Sequence, residues 1–246
     1  MAIRLKIKRQ EGPGAAPHWE EFDVPDHPGA NVISCLMEIR KNPVTADGKK
    51  TTPVVWESSC LEEVCGACTM WINGRPRQSC SALIKDLAQP IVLEPMSKFP
   101  LIRDLQVDRG RMFQELLKAR AWIEIDGTHD LGPGPRMSAE LALERYDLSR
   151  CMTCGCCVES CPQYGPQSAY IGPAAINQVR LFNTHPSGAM QADERLEVLM
   201  GEGGVMDCGN AMNCVKACPK EIPLTQSIAE MNRASYQKAI RDLLAR

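Results

Sequence analysis

Aromatic residues make up only 5% of the 246 residues, and no apolar run approaches the ~18 residues that a membrane-spanning helix needs. The start, Met1-Ala2-Ile3-Arg4-Leu5-Lys6, lacks the apolar core of a signal peptide. Both absences point to an intracellular chain that does not cross a membrane by itself. A formal net charge of −2 supplies no basic field and argues against nucleic acid as a partner. The four histidines, His18, His27, His129 and His185, are scattered and never accompany a cysteine couple, which excludes a Rieske arrangement. Gly201-Glu202-Gly203-Gly204 follows no strand, so it reads as a turn and not as a nucleotide fingerprint. No Ser/His/Asp set or carboxylate pair points to chemistry on an organic substrate.

Two patterns divide the chain. Ile3, Leu5 and Ile7 alternate with Arg4, Lys6 and Lys8, the period of a half-buried strand, and Phe22 and Val24 mark a second one. Asn31 is placed to cap a helix carrying Val32, Leu36 and Ile39, with Cys35 in its core. Met70-Trp71-Ile72 runs into Asn73-Gly74, a hairpin-turn signal, and Ile91-Val92-Leu93 reads as the last strand. From about Val107 the period becomes helical. Phe113, Leu116, Leu117 and Arg120 share a face of one helix, and a loop follows at Gly127–Pro135. Further helices are expected over Leu141–Leu148, after Pro173, around Leu196–Met200, and from a Thr225 cap through Ile228, Met231, Tyr236 and Ile240. The expected organisation is a small sheet domain followed by a helical one.

Cysteine is what the chain has in excess. There are thirteen, an odd count that suits ligands better than a disulfide framework in a reducing compartment. Cys60-x4-Cys65-x2-Cys68-x11-Cys80 has the plant-ferredoxin spacing for a [2Fe–2S] cluster. Cys151-x2-Cys154-x2-Cys157-x3-Cys161-Pro162 has the bacterial-ferredoxin spacing for a cubane. Cys208-x5-Cys214-x3-Cys218-Pro219 repeats the second spacing with Ala211 where the middle cysteine belongs. In two-cluster ferredoxins the cysteine before proline ligates the other run's cluster. Cys151, Cys154, Cys157 and Cys218 are then the [4Fe–4S] ligands, and Cys161, Cys208 and Cys214 remain for the last site. Three thiolates match a [3Fe–4S] cluster unless Asp207, Asn210 or Asn213 lends a ligand. Structural zinc is the competing use of four thiolates, although zinc favours paired C-x2-C knuckles. Cys156 and Cys35 fall outside the ligand pattern and read as small buried hydrophobes. Glu57, Glu62 and Glu63 are either a partner-facing acidic patch or a solvated loop.

The chain resembles, over its whole length, the iron–sulfur subunit of succinate dehydrogenase and fumarate reductase (respiratory complex II). The carriers are Ser58 to Cys68, Arg77-Gln78-Ser79-Cys80, Cys151 to Cys161, Ile171-Gly172-Pro173-Ala174, and Met212 to Lys220. The resemblance implies an α+β fold, with a β-grasp [2Fe–2S] domain over residues 1–106 and an all-α ferredoxin domain with [4Fe–4S] and [3Fe–4S] clusters over 107–246. It implies a flavoprotein partner with covalent FAD and a membrane anchor that binds quinone. Electrons would pass from FAD through the three clusters to quinone, which makes the chain the electron-transfer subunit of succinate:quinone oxidoreductase, without an organic-substrate site of its own.

One departure bears on the quinone. Ubiquinone-using members place tryptophan shortly after the second run's Cys-Pro and histidine just after the third run's first cysteine. Here the segments read Cys161-Pro162-Gln163-Tyr164-Gly165 and Cys208-Gly209, so only Pro162 carries over as quinone-proximal. The pattern looks more like menaquinone-linked bacterial members with a di-haem cytochrome b anchor, peripheral on the cytoplasmic face of the cell membrane. The same role in a quinol:fumarate reductase, and the iron–sulfur subunit of another flavin-linked dehydrogenase, are the alternatives.

Overall fold

A computed structural model describes residues 2–124 and 135–245. The chain divides into two compact units: Met1–Arg109 together with Met152–Glu159, and Gly110–Cys151 together with Ser160–Arg246.

The first unit is built on a mixed five-stranded sheet. Its strands are β1 (Ala2–Arg9), β2 (His18–Pro25), β3 (Thr69–Ile72), β4 (Arg75–Gln78) and β5 (Ile91–Glu94), in the order β2-β1-β5-β3-β4. β1 pairs antiparallel with β2 and parallel with β5, Leu5 opposite Ile91. The expected alternation holds: Ile3, Leu5, Ile7, Phe22 and Val24 are buried in one core. Helix α1 (Val32–Lys41) adds Val32, Cys35, Leu36 and Ile39 to that core. Asn31 caps it, its side chain accepting from Ser34 N at 2.9 Å while Ser34 Oγ accepts from Asn31 N, a reciprocal capping box. Asn73 and Gly74 both adopt positive φ, 48° and 75°, the turn that a two-residue hairpin between β3 and β4 requires.

Ile91–Glu94 is not the last strand. Short β6 (Leu101–Arg103) and β7 (Gln106–Val107) pair beyond it. The turn between them carries Asp104, buried and at φ 49°. Its carboxylate accepts from Arg9 Nε at 3.0 Å, Arg9 Nη2 at 3.2 Å, Gln10 N at 3.1 Å and Val55 N at 3.0 Å. Arg9 is itself buried and also pairs with Glu20. Two buried charges are tolerable because nearly every polar atom is bonded.

The second unit holds α2 (Gly110–Lys118), α3 (Ala139–Ser149), α5 (Gly172–Asn183), α6 (Ala192–Met200), α7 (Asn213–Ala217) and α8 (Leu224–Leu244); the short α4 (Cys156–Glu159) belongs to the first unit. α5 packs along α8, with α2, α3 and α6 also against α5. Pro173 lies in the first turn of α5, and Ile176 and Val179 are fully buried. Polar bonds lock this core: Ser227 Oγ donates to Asn177 Oδ1 at 2.9 Å, and Asn177 Nδ2 donates to Leu148 O at 3.2 Å. The Gly201–Gly204 segment ends α6 as a turn. Among the described residues no helix is long and apolar enough to cross a membrane.

Two helices differ from expectation. Phe113 and Leu117 share a face of α2, but it is an exposed one, at 55% and 60%, while Met112 and Glu115 are buried; Arg120 lies beyond the helix, which ends at Lys118. The face is set by a polar cluster: Arg111 Nε donates to Glu115 at 2.7 Å, Tyr164 Oη donates to Glu115 at 3.0 Å, and the Arg111 guanidinium stacks 4.3 Å over the Tyr164 ring. Thr225 lies inside α8 and not at its cap, which is Pro223; Ile228 and Met231 are buried, whereas Tyr236 and Ile240 are exposed. Of the loop expected at 127–135, residues 127–134, with His129, lie outside the described residues.

Candidate metal centres

None of the thirteen cysteines, all within the described residues, is in a disulfide. In the first unit, Cys60 and Cys65 sit on a loop in which Leu61, Glu63 and Gly66 take positive φ of 63°, 58° and 70°. Those reversals turn backbone N–H groups towards sulfur. Val64 N and Cys65 N each lie 3.3 Å from Cys60 Sγ, and Glu62 N lies 3.5 Å from it. Ala67 N is 3.5 Å from Cys65 Sγ. These amides draw the Cys60 thiol down to about 7, towards the thiolate that iron needs. The hairpin supplies the other two sulfurs: Cys68 precedes β3 and Cys80 follows β4, both buried. Ser79 ties them together, donating from N and Oγ to Cys68 O at 3.1 and 2.9 Å. Burial pushes the Cys68 thiol up to about 12. Thiols with amides directed at two of their sulfurs have the donor chemistry that suits a two-iron cluster, whose reduced charge such donors stabilise.

Glu57, weighed with Glu62 and Glu63 as an acidic patch, pairs with Arg109 at 3.2 Å. Leu61 and Val64 are exposed on the Cys60–Cys65 loop.

Cys154, Cys156 and Cys157 of the second run are buried in the first unit. Thr153 and Gly155 have φ of 52° and 91°, which wraps the chain tightly before α4. Glu159 anchors that helix. Its buried carboxylate accepts from Trp71 Nε1 at 2.6 Å, Ser97 N and Ser97 Oγ at 2.7 Å each, and Lys98 N at 3.3 Å. A hydrogen bond from Cys156, the largest influence, brings the Cys154 thiol to about 7. Cys151 and Cys218 belong to the second unit.

The third set is gathered in the second unit, where Cys161, Cys208, Cys214, Ala211, Pro162 and Tyr170 line one cavity. Asn210 and Met212 flank Ala211 at φ 52° and 59°. Tyr170 is buried, and its hydroxyl is held protonated by burial and by the Cys208 sulfur with which it hydrogen-bonds. Of the residues considered as a fourth ligand, Asn210 Oδ1 accepts from Cys208 Sγ at 3.8 Å and Asn213 Nδ2 donates to Ser160 O at 3.1 Å. Both line the cavity; Asp207 lies in a short 3₁₀ turn and is not among its lining residues. Three thiols and a methyl group fit a cluster with three protein-bound irons.

Sequence reasoning passed over Gln163. A Cβ on Gly209 would stand 2.5 Å from Gln163 Nε2. The two departures around the third set are therefore one packing arrangement, in which the Gln163 side chain occupies the space a larger residue at 209 would need.

Residues 4–114 match the family described as 2Fe-2S iron-sulfur cluster binding domain, and residues 147–222 that described as 4Fe-4S dicluster domain. Together with the cysteine sets these define an iron–sulfur protein with ferredoxin-type modules. The chain is 60% identical over 240 residues to the succinate dehydrogenase iron-sulfur subunit of Bacillus subtilis, covering 98% of this chain and 95% of that protein. It is 32% identical over 236 residues to the fumarate reductase iron-sulfur subunit of Wolinella succinogenes, covering 95% and 96%. A chain of the solved structure "Mycobacterium smegmatis Sdh1 complex in the apo form" shares the fold, with a TM-score of 0.75 at 22% identity over 96% of each chain. The chain belongs to the family of succinate dehydrogenase and fumarate reductase iron–sulfur subunits.

Proposed function

We propose that this chain is the electron-transfer subunit of a succinate:quinone oxidoreductase. When bound, [2Fe–2S], [4Fe–4S] and [3Fe–4S] clusters supply one-electron carriers, in that order, between the FAD of a flavoprotein subunit and menaquinone at a di-haem cytochrome b anchor. Cys60, Cys65, Cys68 and Cys80 hold the first cluster, and the loop amides on Cys60 and Cys65 stabilise its reduced charge. Cys151, Cys154, Cys157 and Cys218 hold the second. Cys161, Cys208 and Cys214 hold the third.

The observation that carries this reading is Ala211, lining the cavity of Cys161, Cys208 and Cys214 where a fourth thiol would otherwise stand. A methyl group binds no iron. The mixed sheet, with α1 between β2 and β3, supports a β-grasp domain over residues 1–106, and the helices of the second unit support a helical domain over 107–246, although Met152–Glu159 group with the first unit. Pro162 lines the same cavity and is the quinone-proximal residue of this chain. The segments Cys161-Pro162-Gln163-Tyr164-Gly165 and Cys208-Gly209 lack the tryptophan and histidine of ubiquinone-using members, and that pattern is what supports menaquinone. Through its anchor the chain sits on the cytoplasmic face of the bacterial cell membrane.

The purified complex is expected to reduce a menaquinone analogue with succinate and to release menaquinone on lipid extraction. A complex inert to succinate contradicts the function, and extraction of ubiquinone alone contradicts the quinone. Fumarate reduction is the second reading, favoured by the Wolinella relative; the higher identity to a succinate dehydrogenase subunit favours oxidation.

A further inference from the structure

Two side chains that ligate nothing connect the first and second cysteine runs inside the first unit. Thr69 Oγ1 donates its proton to Gly66 O at 2.9 Å, within the loop between Cys65 and Cys68. With that proton committed, Thr69 accepts from Gln78 Nε2 at 3.0 Å, which fixes the orientation of the Gln78 amide. The same nitrogen lies 3.3 Å from Cys156 Sγ. Cys156 therefore accepts from Gln78, and its own S–H is left to donate to the neighbouring Cys154 sulfur, with which it hydrogen-bonds.

Water does not compete for these groups. Gln78 and Cys156 are both 0% exposed, and Thr69 is buried. Gln78 Oε1, by contrast, has no partner among the described residues. A buried unpaired carbonyl is unfavourable, and an apolar side chain of similar size would avoid it. What the amide contributes instead is its pair of donated bonds. The backbone keeps the arrangement close, since a Cβ on Gly66 would stand 2.6 Å from Cys154 Cα.

We propose that Gln78 and Cys156 are positioning residues that hold a hydrogen bond on the Cys154 sulfur and thereby raise the reduction potential of the cluster that Cys154 ligates. A donor aimed at a ligating sulfur stabilises the extra negative charge of the reduced cluster more than the oxidised one. Gln78 acts in two ways, through its own side-chain hydrogen bond to the Cys154 sulfur and through Cys156. It polarises the Cys156 thiol by donating to its sulfur, which strengthens the S–H as a donor. The inference rests on the assignment of Cys154 as a [4Fe–4S] ligand.

The test is an EPR-monitored redox titration of the [4Fe–4S] signal in the assembled complex, for wild type, Cys156→Ala, Cys156→Ser and Gln78→Leu. Cys156→Ala and Gln78→Leu are each expected to lower the midpoint potential, since each removes a hydrogen bond to the Cys154 sulfur. Cys156→Ser, which restores a donor, is expected to return it towards wild type, with the [3Fe–4S] midpoint unchanged throughout. Gln78→Leu decides the matter if Cys156→Ala fails to assemble. Midpoints equal to wild type in the variants that assemble overturn the proposal. A wild-type complex with no [4Fe–4S] signal overturns the ligand assignment instead.

Discussion

Gly66 offers the sharpest structural perturbation. It sits in the first cysteine loop at φ +70°, and an added Cβ would meet Cys154 Cα at 2.6 Å, Cys154 Cβ at 2.7 Å and Cys154 N at 3.1 Å. Two costs fall on Gly66→Ala. A non-glycine residue in the left-handed region costs about 1–2 kcal/mol. The contact adds about 1–3 kcal/mol, typical of an overpacked interior, because backbone and not a flexible side-chain tip must move. The total is about 2–5 kcal/mol. Gly74→Ala is the matched control: its φ is +75°, with nothing within 4 Å of the added Cβ, so it bears only the conformational cost of about 1–2 kcal/mol. Any gain from a stiffer unfolded chain is common to both and cancels. Cluster loss accompanies unfolding, so denaturant midpoints are compared, read from visible cluster absorbance and helical circular dichroism. Gly66→Ala should have clearly the lower midpoint and release its clusters first. Equal midpoints for the two variants would refute the contact between the first loop and Cys154.

Other outcomes follow from the same structure. Ala211→Cys supplies a fourth thiol to the cavity of Cys161, Cys208 and Cys214; the three-iron EPR signal should diminish and a four-iron signal of lower potential appear, and an undiminished three-iron signal would count against the position. Asp104→Ala removes four hydrogen bonds and leaves Glu20 as the remaining carboxylate on the buried Arg9 guanidinium, a loss of about 1–3 kcal/mol that denaturant titration would detect. Glu115 has its folded carboxyl value raised above the ordinary 4.5 by burial, against the lowering pull of Arg111 and Tyr164. The folded state thus holds that proton more tightly than the unfolded one. Its stabilising contribution is full below 4.5 and is lost as pH rises through the raised value. Glu115→Gln should flatten that decline in a pH series of melting temperatures, and an unchanged decline would exclude Glu115 as its source.

Local chemistry was readable from sequence wherever neighbours in the chain decide the outcome. The alternation at Ile3, Leu5 and Ile7, the Asn31 cap and the Asn73-Gly74 turn all depend on residues a few positions apart, and each is found as expected. The cysteine spacings belong to the same class. Long-range partnerships were not readable. Asp104 meets Arg9 across 95 residues, and Glu159 meets Trp71 across 88. Nothing near Asp104 distinguishes it from a solvated turn residue. Which face of α2 turns inward was not readable either, because the Arg111–Glu115–Tyr164 cluster decides it and Tyr164 lies far along the chain. Gln78 entered the sequence reading only as part of Arg77-Gln78-Ser79-Cys80, because its partners, Thr69 and Cys156, come from separate segments. Gln163 escaped notice because only the fold brings it over Gly209.

The central claim is that three different clusters are carried by three cysteine sets, the last lacking a thiol at Ala211. Low-temperature EPR of the purified complex tests it most directly. Dithionite reduction is expected to reveal a [2Fe–2S] signal together with a [4Fe–4S] signal, and oxidation in air to reveal a [3Fe–4S] signal that disappears on reduction. A preparation silent in both states and rich in zinc would contradict the account, as would a third site that behaves only as a four-iron cluster.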